Sequence, residues 1–472
     1  AWAVADVSLS VPKPVCDPSK IVSVRYSSTS ERIYLESADG SRGGCFSPTD
    51  VYESLGPDSP LYPLETPGEW MLDEDLYVLD GIALNVYGTA VGGDCDHLKL
   101  RSDSTGFVHV RPHGGSLDLV STRVTSWDSS KDEVDSDLGD GRAYISAISE
   151  VVVDPAETCQ GVAKNDMGEA RLDIEGCEIA YLGYEASESW GISWKLRGLC
   201  NDVSNLGAYE DIGVYGDLKG SDIPHLYYGH YGFRAVGSLI TGNTFHDNAQ
   251  YCCDPHHASS NLTITHNEMF NCGNHGLIYS KYCDNVVVAS NHIHDNVGVG
   301  ISPHFISDGA RISHNVVENN GDSGIAFLES SRGVVYNNTV RNNVHGVRLS
   351  VGSRDNVVAG NTFEDDTGYD VYTYAGSDAV VEAETSSPTG NIFFGNVFSG
   401  DGGGSRLDDS VDTQLSSNSA EDWGRVELRG SDNVLVLGNV FSGSAEYVSS
   451  DSCVNAASDA VGFPDVCDDA PI

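Results

Sequence analysis

The segment Tyr251-Cys252-Cys253-Asp254-Pro255-His256 carries side chains that could remove and return a proton. Histidine is the usual general base near neutral pH, tyrosine can donate a proton, and a carboxylate can orient either one. Pro255 removes a backbone donor, so its place in a strand needs a local reason. From spacing alone, a kinked corner with a structural histidine is as good an interpretation as a proton-transfer site.

An internal repeat predicts the element that positions this segment. Similar hexapeptides begin at Asn243, Asn267, Asn291, Asn315, Asn338 and Asn361, at spacings of 24, 24, 24, 23 and 23 residues. Two short apolar strands lie between successive hexapeptides, so each period holds about three strands. A unit of this size cannot bury its own apolar side, and consecutive coils must stack. The sequence predicts an all-β fold, a right-handed parallel β-helix with coils of about 24 residues.

Two other repeat folds fit the sequence less well. The Leu-rich consensus of a leucine-rich horseshoe is absent, and a propeller needs a period above about 40 residues. In the stacked fold, the repeated Asn forms a ladder and can hydrogen-bond to the coils above and below it. Asn also tolerates the left-handed conformation that a tight corner needs.

The period is clearest over residues 240–370, which we interpret as the core repeats. The proline-rich residues 1–70 are expected to form an irregular N-terminal cap. The β-helix with its catalytic groove is expected to span residues 71–445, and residues 446–472 are expected to form a C-terminal tail.

The repeat signature returns at wider spacing near the C-terminus. Asn396 and Asn439 each begin an Asn-Val-Phe-Ser-Gly segment, 35 and 43 residues after the preceding signature. We expect residues 401–425 to be an inserted acidic loop that accounts for this.

Composition limits the possible partners. Lys plus Arg number 26 against 70 Asp plus Glu, which gives a formal net charge of −44. Nucleic acid is excluded as a partner because phosphate binding needs a basic surface. No apolar run approaches the ~20 residues of a membrane span. A surface this acidic is tolerable in saline surroundings, where screening is strong.

The cysteines indicate an oxidising compartment. There are 12, scattered along the chain without a CxxC pair, which favours disulfides over a zinc site. No signal peptide is present, and Ala1-Trp2 is expected to be a trimmed mature end. We expect a secreted monomer located in the extracellular space or cell wall.

Longer stretches carry a family resemblance. The stretch from Tyr228-Gly-His-Tyr-Gly-Phe233 through the Asp-Pro-His segment, and then His275-Gly-Leu-Ile-Tyr-Ser-Lys281, resemble mannuronan C5-epimerases. The likeness includes the brown-algal secreted and the bacterial periplasmic types, and it covers roughly residues 220–370. It implies a β-helical enzyme that inverts C5 of mannuronate residues within alginate, an anionic polysaccharide.

The resemblance implies roles for four residues. His256 would be the base, and Tyr251 would donate the proton, directly or through water. Lys281 would neutralise the uronate carboxylate, where the bacterial type has Arg. It lies 25 residues after His256, close to one period, so both can face one groove on adjacent coils about 4.8 Å apart. Asp254 would orient or polarise this group, or it would satisfy backbone donors at the kink.

Five further residues are candidates for substrate binding. Arg348 matches a position where bacterial members also have Arg, and it could bind a neighbouring carboxylate. His304 lies two periods after the Asp-Pro-His histidine and fits a subsite or a plain surface position. His257 stands where relatives commonly have an acidic residue. Tyr228 and Tyr279 fit sugar platforms or core positions.

The Cys252-Cys253 pair departs from the family pattern. We expect one cysteine to point inward and the other toward the groove. A free groove thiol and a disulfide to Cys272 or Cys283 are alternatives that the sequence leaves open.

The function predicted from these features is mannuronan C5-epimerase. The alternatives are a polyuronate lyase, which removes the same C5 proton but eliminates the C4 substituent, and a non-catalytic polysaccharide-binding β-helix. No metal or other cofactor is predicted for the chemistry. Calcium could have a structural or stimulatory role, although no Gly-Gly-x-Gly-x-Asp array occurs.

Overall fold

The computed structural model describes residues 13, 15–17, 19–20, 22–153, 162–164, 168–198, 212–376, 386–400, 404–421, 425–442, 446–450, 452 and 454–456. The chain divides into two units, residues 1–263 (unit 1) and residues 264–472 (unit 2). In each unit, three short strands per coil stack on the strands of neighbouring coils in parallel sheets. None of the described helices is long and apolar enough to cross a membrane.

Unit 1 contains three parallel sheets. Sheet A1 consists of β2 (Arg32–Ser37), β6 (Asp75–Val78), β10 (His109–Pro112), β14 (Tyr144–Val153), β18 (Gly191–Arg197), β21 (Tyr228–Phe233) and β24 (Asp254–His256), with β1 (Val22–Ser27) antiparallel to β2. Sheet B1 consists of β3 (Gly44–Phe46), β7 (Ile82–Tyr87), β11 (Ser116–Val120), β16 (Arg171–Glu175), β19 (Leu218–Lys219) and β22 (Leu239–Thr241). Sheet C1 consists of β5 (Glu69–Leu72), β8 (His97–Asp103), β12 (Arg123–Asp128), β17 (Glu178–Ala180), β20 (Asp222–Pro224) and β23 (Thr244–His246), with β4 (Leu61–Pro63) antiparallel to β5.

Unit 1 also contains three short strands and two helices outside the parallel sheets. Three strands form antiparallel hairpins with β8, β12 and β14, namely β9 (Gly106–Phe107), β13 (Glu133–Val134) and β15 (Val162–Lys164). Helix α1 (Pro48–Leu55) begins after Ser47, whose side chain accepts a hydrogen bond from the Asp50 backbone in a capping box. A short 3-10 helix spans Thr89–Val91.

Unit 2 repeats the three-sheet arrangement. Sheet A2 consists of β27 (Leu277–Ser280), β30 (Ile301–His304), β33 (Ser323–Leu328), β36 (His345–Ser350), β39 (Val371–Tyr374), β42 (Ser405–Asp408), β45 (Arg425–Arg429) and β48 (Glu446–Ser450). Sheet B2 consists of β25 (Thr263–Thr265), β28 (Val287–Ala289), β31 (Arg311–Ser313), β34 (Val334–Tyr336), β37 (Val357–Ala359), β40 (Ile392–Phe394), β43 (Gln414–Ser416), β46 (Val434–Leu437) and β49 (Val454–Ala456). Sheet C2 consists of β26 (Glu268–Phe270), β29 (His292–His294), β32 (Val316–Glu318), β35 (Thr339–Arg341), β38 (Thr362–Glu364), β41 (Val397–Ser399), β44 (Ser419–Glu421) and β47 (Val440–Ser442).

The predicted parallel β-helix with coils of about 24 residues is confirmed. Most strands of B2 and C2 have only three residues, and the middle residue points into the core. Val288, Val335 and Val340 are examples, each with no exposed surface. Burying one such aliphatic side chain contributes about 1.5–3 kcal/mol. The core of unit 2 is therefore a column of apolar side chains inside the coils.

The predicted asparagine ladder is present, and its members are buried. Asn315 is typical: its backbone N–H and its side-chain amide both donate to Oδ1 of Asn338, each at 2.9 Å. Its Nδ2 also donates to the Val288 carbonyl at 3.0 Å. The left-handed conformation, however, belongs to the residue before the ladder asparagine, such as His314 at φ 56° and Asn337 at φ 53°.

Three predicted boundaries are wrong. The β-helix begins at β2, because β2, β3 and β5 already pair in parallel with the next coil, so residues 1–70 are not an irregular cap throughout. Within the predicted acidic loop at 401–425, the described residues 404–421 form β42, β43 and β44, which make an ordinary coil. The tail does not begin at residue 446, because β48 and β49 continue the sheets.

The wide asparagine spacings have a simple cause. Asn396 follows Asn361 in the ladder directly, and the additional residues lie between the end of β39 and the start of β40. The spacing of 43 covers two coils, because Asn418 bonds both Asn396 and Asn439. Asn418 was not predicted as a ladder residue, because its Asn-Ser-Ala-Glu segment lacks the apolar residues of the repeated hexapeptide.

Asp366 is the exception in a second ladder, which otherwise contains Asn296, Asn320 and Asn343. Its Oδ1 accepts from the backbone N and from Nδ2 of Asn343 at 2.8 and 3.2 Å, and Asp366 is 1% exposed. Burial raises the pKa of Asp366 to about 8, because a charged carboxylate is poorly solvated there. The carboxyl group therefore substitutes for an amide while it is protonated.

We predict that Asp366→Asn stabilises the protein at pH 7 by about 1–3 kcal/mol. A carboxyl group whose folded pKa is raised costs stability progressively as the pH rises from about 4 to 8, and the amide removes this cost. Thermal unfolding followed by circular dichroism at pH 4 and pH 7 measures the effect, which should vanish at pH 4. The exposed neighbour provides the comparison: Asp365→Asn should raise the pH 7 midpoint far less than Asp366→Asn, because the charge of Asp365 only adds to the burial that raises the pKa of Asp366. An equal gain at both pH values would contradict the titration argument.

Candidate active site

The Asp-Pro-His segment forms β24, the last strand of sheet A1. It is paired with β21, so that Tyr231 lies beside Asp254 and Phe233 lies beside His256. Because alternate residues of a strand point to opposite sides, Asp254 and His256 share the outer side of the sheet and Pro255 points inward. His256 is half-buried, whereas Asp254 is only 2% exposed.

Aromatic rings line this outer side. Tyr231 packs on Trp190 with ring centroids 4.0 Å apart and stacks over His256 at 6.0 Å. The ring centroid of Tyr228 lies 5.2 Å from that of Tyr251 and 5.9 Å from that of Tyr231. Tyr228 and Tyr251 are therefore part of one cluster beside His256. Trp190 was not identified from the sequence, since it lies outside the clear repeats.

The phenols in this cluster stay protonated. Burial raises the pKa of Tyr251, and the negative charge of Asp254 raises it further. The same two causes, in the same order, raise the pKa of Tyr228. Each phenol is thus a hydrogen-bond or proton donor at neutral pH, as the role predicted for Tyr251 requires.

His256 is held by its neighbour. The Nδ1 atoms of His256 and His257 form a hydrogen bond, so one ring donates and the other accepts. Left-handed conformations at His257 and Ala258, with φ of 36° and 57°, follow β24 at this corner. The His257 ring also stacks on Phe233 at 4.6 Å. His257 was predicted to bind substrate, and the structure places it against the predicted base.

The cysteine pair does not face a groove. Cys252 and Cys253 are both fully buried, so the prediction that one of them points outward is wrong. Cys252 is disulfide-bonded and Cys253 is a free thiol. Cys272 is disulfide-bonded, whereas Cys283 is a thiol, which excludes the alternative through Cys283. Burial, followed by the charge of Asp254, raises the pKa of Cys253 far above its usual value, so the thiol is inert.

A second group of predicted residues lies in unit 2. Lys281 follows β27 in a left-handed conformation, with φ 64°. It makes no ion pair with any residue that the structure describes in this unit. His304, at the end of β30, accepts or donates a hydrogen bond at Nδ1 with Ser280 Oγ at 2.9 Å. Burial, with nearby His275, Lys281 and Arg348, lowers the pKa of His304 to about 4, so the ring is neutral.

Arg348 is already paired. Its Nη1 lies 3.1 Å from both carboxylate oxygens of Asp322, and its side chain is 19% exposed. Burial opposes ionisation of Asp322, but the charge of Arg348 together with hydrogen bonds from Ser323 and Arg348 outweighs burial, and the pKa of that carboxyl is lowered. A substrate carboxylate at Arg348 would therefore share the guanidinium with Asp322.

Of the two alternatives left open for Tyr279, the structure supports the core position. Tyr279 lies on the inner side of β27 and has no exposed surface, so it belongs to the core and cannot act as a sugar platform. The alternation along β27 puts Ser280, and not Tyr279, on the outer side beside His304.

Sheet A2 carries an aromatic surface that the sequence reading missed. Tyr372 lies between Arg348 and Arg406 in the strand register. Its ring is 5.6 Å from Tyr369 and 5.2 Å from Tyr374. The Arg406 guanidinium lies 5.7 Å from the ring centres of Tyr369 and Tyr372. The sequence signal for this surface is the group of three tyrosines at 369, 372 and 374, which lies outside the repeated hexapeptides.

Sheet A1 carries a second missed surface, made of cations. Arg197 pairs with Glu188, Lys195 Nζ lies 3.4 Å from that carboxylate, and Arg111 lies 3.7 Å from it. Three positive charges therefore share one negative charge. Lys195 also lies 5.0 Å from the centre of the Trp190 ring, which connects the cations to the aromatic cluster.

The structure thus brings the predicted residues together within each unit. Unit 1 contains Tyr228, Tyr251, Asp254, His256 and His257 in one cluster, and unit 2 contains Lys281, His304 and Arg348 in another. The juxtaposition of Lys281 with His256 stays a prediction that rests on their spacing in the sequence.

Comparisons with known families and structures agree with this fold. The family described as "Right handed beta helix region" matches residues 204–306, and the family described as "Periplasmic copper-binding protein (NosD)" matches residues 306–457. The solved structure of the periplasmic alginate epimerase AlgG superposes with a TM-score of 0.66 at 18% identity, covering 87% of this chain and 85% of that one. The chain is therefore a right-handed parallel β-helix, as predicted.

Sequence relatives are mannuronan C5-epimerases. The Azotobacter vinelandii enzyme AlgG is 28% identical over 287 residues, which are 60% of this chain and 49% of that protein. A mannuronan C5-epimerase of Pseudomonas syringae pv. tomato is 31% identical over 119 residues, which are 25% of this chain and 22% of that protein. The chain is homologous to these enzymes over part of its length, and it spans about half of their length or less.

We predict that Cys253 resists thiol reagents in the folded protein and reacts after unfolding, because it is buried and protonated. Alkylation with iodoacetamide at pH 8, followed by peptide mass spectrometry, measures this residue by residue. The peptide should be unmodified in native buffer and fully labelled in guanidinium chloride. Labelling in native buffer would place the thiol at the surface and contradict the buried position.

Proposed function

We propose that the chain is a mannuronan C5-epimerase, which converts β-D-mannuronate to α-L-guluronate residues within alginate. Support comes from the homologous epimerases, from the fold shared with the periplasmic alginate epimerase, and from the cluster around β24. The observation that carries the proposal is the hydrogen bond between His256 and His257 beside protonated Tyr251.

This hydrogen bond prepares His256 to act as a base. When Nδ1–H of His256 donates a hydrogen bond to Nδ1 of His257, Nε2 of His256 carries no proton and presents its lone pair. His257 is then a positioning residue that fixes the tautomer and the ring orientation. Stacking of Tyr231 on His256 and of Phe233 on His257 restrains both rings.

The reaction proceeds by transfer of two protons. Nε2 of His256 removes the C5 proton of a mannuronate residue; the C5–H electron pair forms a double bond between C5 and the carboxylate carbon, and a C=O electron pair moves onto a carboxylate oxygen to give an enolate-like intermediate. The Tyr251 hydroxyl, directly or through water, delivers a proton to the opposite face of C5. His256 then loses its proton to solvent and Tyr251 regains one, so the enzyme returns to its starting state.

A cation has to neutralise the substrate carboxylate while the negative charge develops. Lys281 suits this role because no described carboxylate of its unit is paired with it, whereas Arg348 is paired with Asp322. Asp254 raises the pKa of Tyr251 and so keeps the proton donor protonated. These side chains supply the base, the acid and the charge, and we propose that the chemistry needs no metal or organic cofactor. Calcium as a structural or stimulatory ion stays a prediction.

The cations and rings on the outer sides of sheets A1 and A2 fit a polyuronate. Substrate carboxylates can pair with Arg111, Lys195 and Arg197, which share Glu188, whereas Arg406 is already paired with Asp408. Sugar faces can pack on Tyr228 and Tyr372. His304, neutral and half-buried, can donate or accept a hydrogen bond to a sugar hydroxyl. The proposed partner is therefore an anionic polysaccharide bound by a monomer. The Cys16–Cys45 disulfide supports a location outside the cytoplasm.

We predict that polymannuronate incubated with the protein in heavy water gains guluronate signals with deuterium at C5, while the chain length stays unchanged. His256→Gln should lower the rate about 100- to 10,000-fold, because general-base catalysis is removed. Tyr251→Phe should lower it by about 10- to 1,000-fold if the phenol itself is the acid. Proton NMR and size-exclusion chromatography measure both outcomes.

The matched control is His246→Gln, a histidine on sheet C1 that should leave the rate unchanged. Shortened chains with a product absorbing in the ultraviolet would indicate a lyase instead. Binding of the polymer without any chemical change would favour a non-catalytic β-helix. Full activity of His256→Gln would remove this histidine from the mechanism.

We predict that Tyr372→Ala raises KM for polymannuronate about 5- to 20-fold and changes kcat by less than about threefold, because the ring contributes to substrate binding away from C5. Steady-state kinetics on chains of defined length measure the two constants. Tyr336→Ala, which removes a half-buried tyrosine on sheet B2, is the control and should change neither. An unchanged KM in Tyr372→Ala would exclude this surface from substrate binding.

A further inference from the structure

A cluster of metal-ligand type lies on the outer side of sheet C2. It contains Glu268 on β26 and His292 and His294 on β29, and one ligand atom of each residue lies within 4.8 Å of the others. The register places Glu268 beside His292, one coil apart. Neither the proposed epimerase chemistry nor the substrate surfaces use these residues.

The distances fit a single ion. Glu268 Oε1 lies 3.4 Å from Nε2 of His294 and 3.8 Å from Nδ1 of His292. In a tetrahedral site with bonds of about 2.0–2.1 Å, ligand atoms are about 3.4 Å apart. Small side-chain rotations are therefore enough to converge on one ion. Glu268 and His292 are 49% and 41% exposed, so an ion can enter from solvent.

A carboxylate contacts the ring nitrogen of each histidine that faces away from Glu268. Nε2 of His292 lies 2.7 Å from Oε1 of Glu318, and Nδ1 of His294 lies 2.7 Å from Oδ2 of Asp295. Metal-bound histidines usually donate their other ring N–H to a carboxylate in this way, which fixes the tautomer and strengthens the ligand. The nitrogens that remain, Nδ1 of His292 and Nε2 of His294, are the two nearest Glu268.

The surroundings hold the arrangement in place. Glu318 is fixed by Arg341, whose Nε lies 2.5 Å from its second oxygen. The His294 ring stacks on Phe270 at 5.0 Å with an interplanar angle of 4°. The two histidine rings lie 4.1 Å apart. Ring positions are thus set by packing and by hydrogen bonds before any ion binds.

The ligand set selects the class of ion. Two imidazoles and one carboxylate suit zinc and its neighbours, whereas calcium and magnesium prefer oxygen ligands. Three protein ligands leave a fourth position for water. The net charge of −44 adds a general attraction for cations, which the test must separate from specific binding.

We propose that Glu268, His292 and His294 bind one zinc-class divalent cation, which ties β26 to β29 on the outer side of unit 2. An ion bound only by the folded state stabilises it by mass action. The ion clamps two coils through their side chains, in addition to the backbone ladder between them. The site is independent of the proposed epimerase activity.

Isothermal titration of chelator-treated protein without a histidine tag, with zinc chloride in 0.5 M sodium chloride and 5 mM calcium chloride, tests the proposal. One equivalent should bind with a dissociation constant in the micromolar range or below, and the thermal midpoint should rise. His294→Ala and the milder Glu268→Gln should each weaken binding at least tenfold. The control His314→Ala removes an exposed histidine on sheet B2 and should bind like the parent chain.

Several outcomes would overturn the site. The first is that zinc does not bind above the calcium background. The second is that both ligand variants bind zinc with unchanged affinity. The third is that His314→Ala loses as much zinc affinity as the ligand variants do. In those cases the cluster is a set of ion pairs only. Zinc binding by His256→Gln and any loss of epimerase activity are separate readouts, so failure of this site and failure of the proposed function can be told apart.

Discussion

The structure depends on buried amide groups that only neighbouring coils can satisfy. The ladder asparagines of unit 2 from Asn267 to Asn418 are buried, and their N–H groups and oxygens need partners, since an unsatisfied buried polar group costs about 1–3 kcal/mol. For Asn315, the side-chain oxygen of Asn338 on the next coil is one acceptor, and the Val288 carbonyl on the previous coil is another. A coil shifted by one residue would lose these bonds and also turn its apolar side chains outward. The ladder therefore fixes the register of every strand.

A fixed register aligns the outer side chains into rows. The row of Arg348, Tyr372 and Arg406 on sheet A2 exists because three strands of different sequence stack in one register. Lys195 and Arg197 on sheet A1 lie next to the aromatic cluster for the same reason. These rows collect cations in a chain that has only 26 Lys and Arg residues against 70 acidic ones. Local positive surfaces can therefore coexist with a strongly negative molecule.

The same physics decides what could be predicted. The period, the parallel strands and the asparagine ladder were predictable, because buried amides and core valines recur in the sequence at the coil length. The sequence left open whether Tyr279 lies in the core or on the surface, since its segment carries apolar residues on both sides and the alternation is ambiguous without the register. The supposed acidic loop was wrong because polar coils can stack through Asn418 without the apolar signature. The burial of Cys252 and Cys253 could not be read from residue type, because cysteine suits core and surface alike.

The sequence predicted the residue types of the candidate site, but the contacts that orient them are visible only in three dimensions. The family resemblance pointed to His256, yet the role of its neighbour depends on a corner where two residues turn left-handed and bring the rings together. Likewise, His292 and His294 are ordinary repeat residues in the sequence, and only the register puts Glu268 beside them. Side chains on different sheets of one coil share the backbone ladder but few direct contacts. Changes at sheet C2 should therefore add to changes at sheet A2 with little coupling, as expected for sites without shared partners. A β-helix can in this way evolve a catalytic side and a stabilising side separately, provided that the ladder between coils is kept.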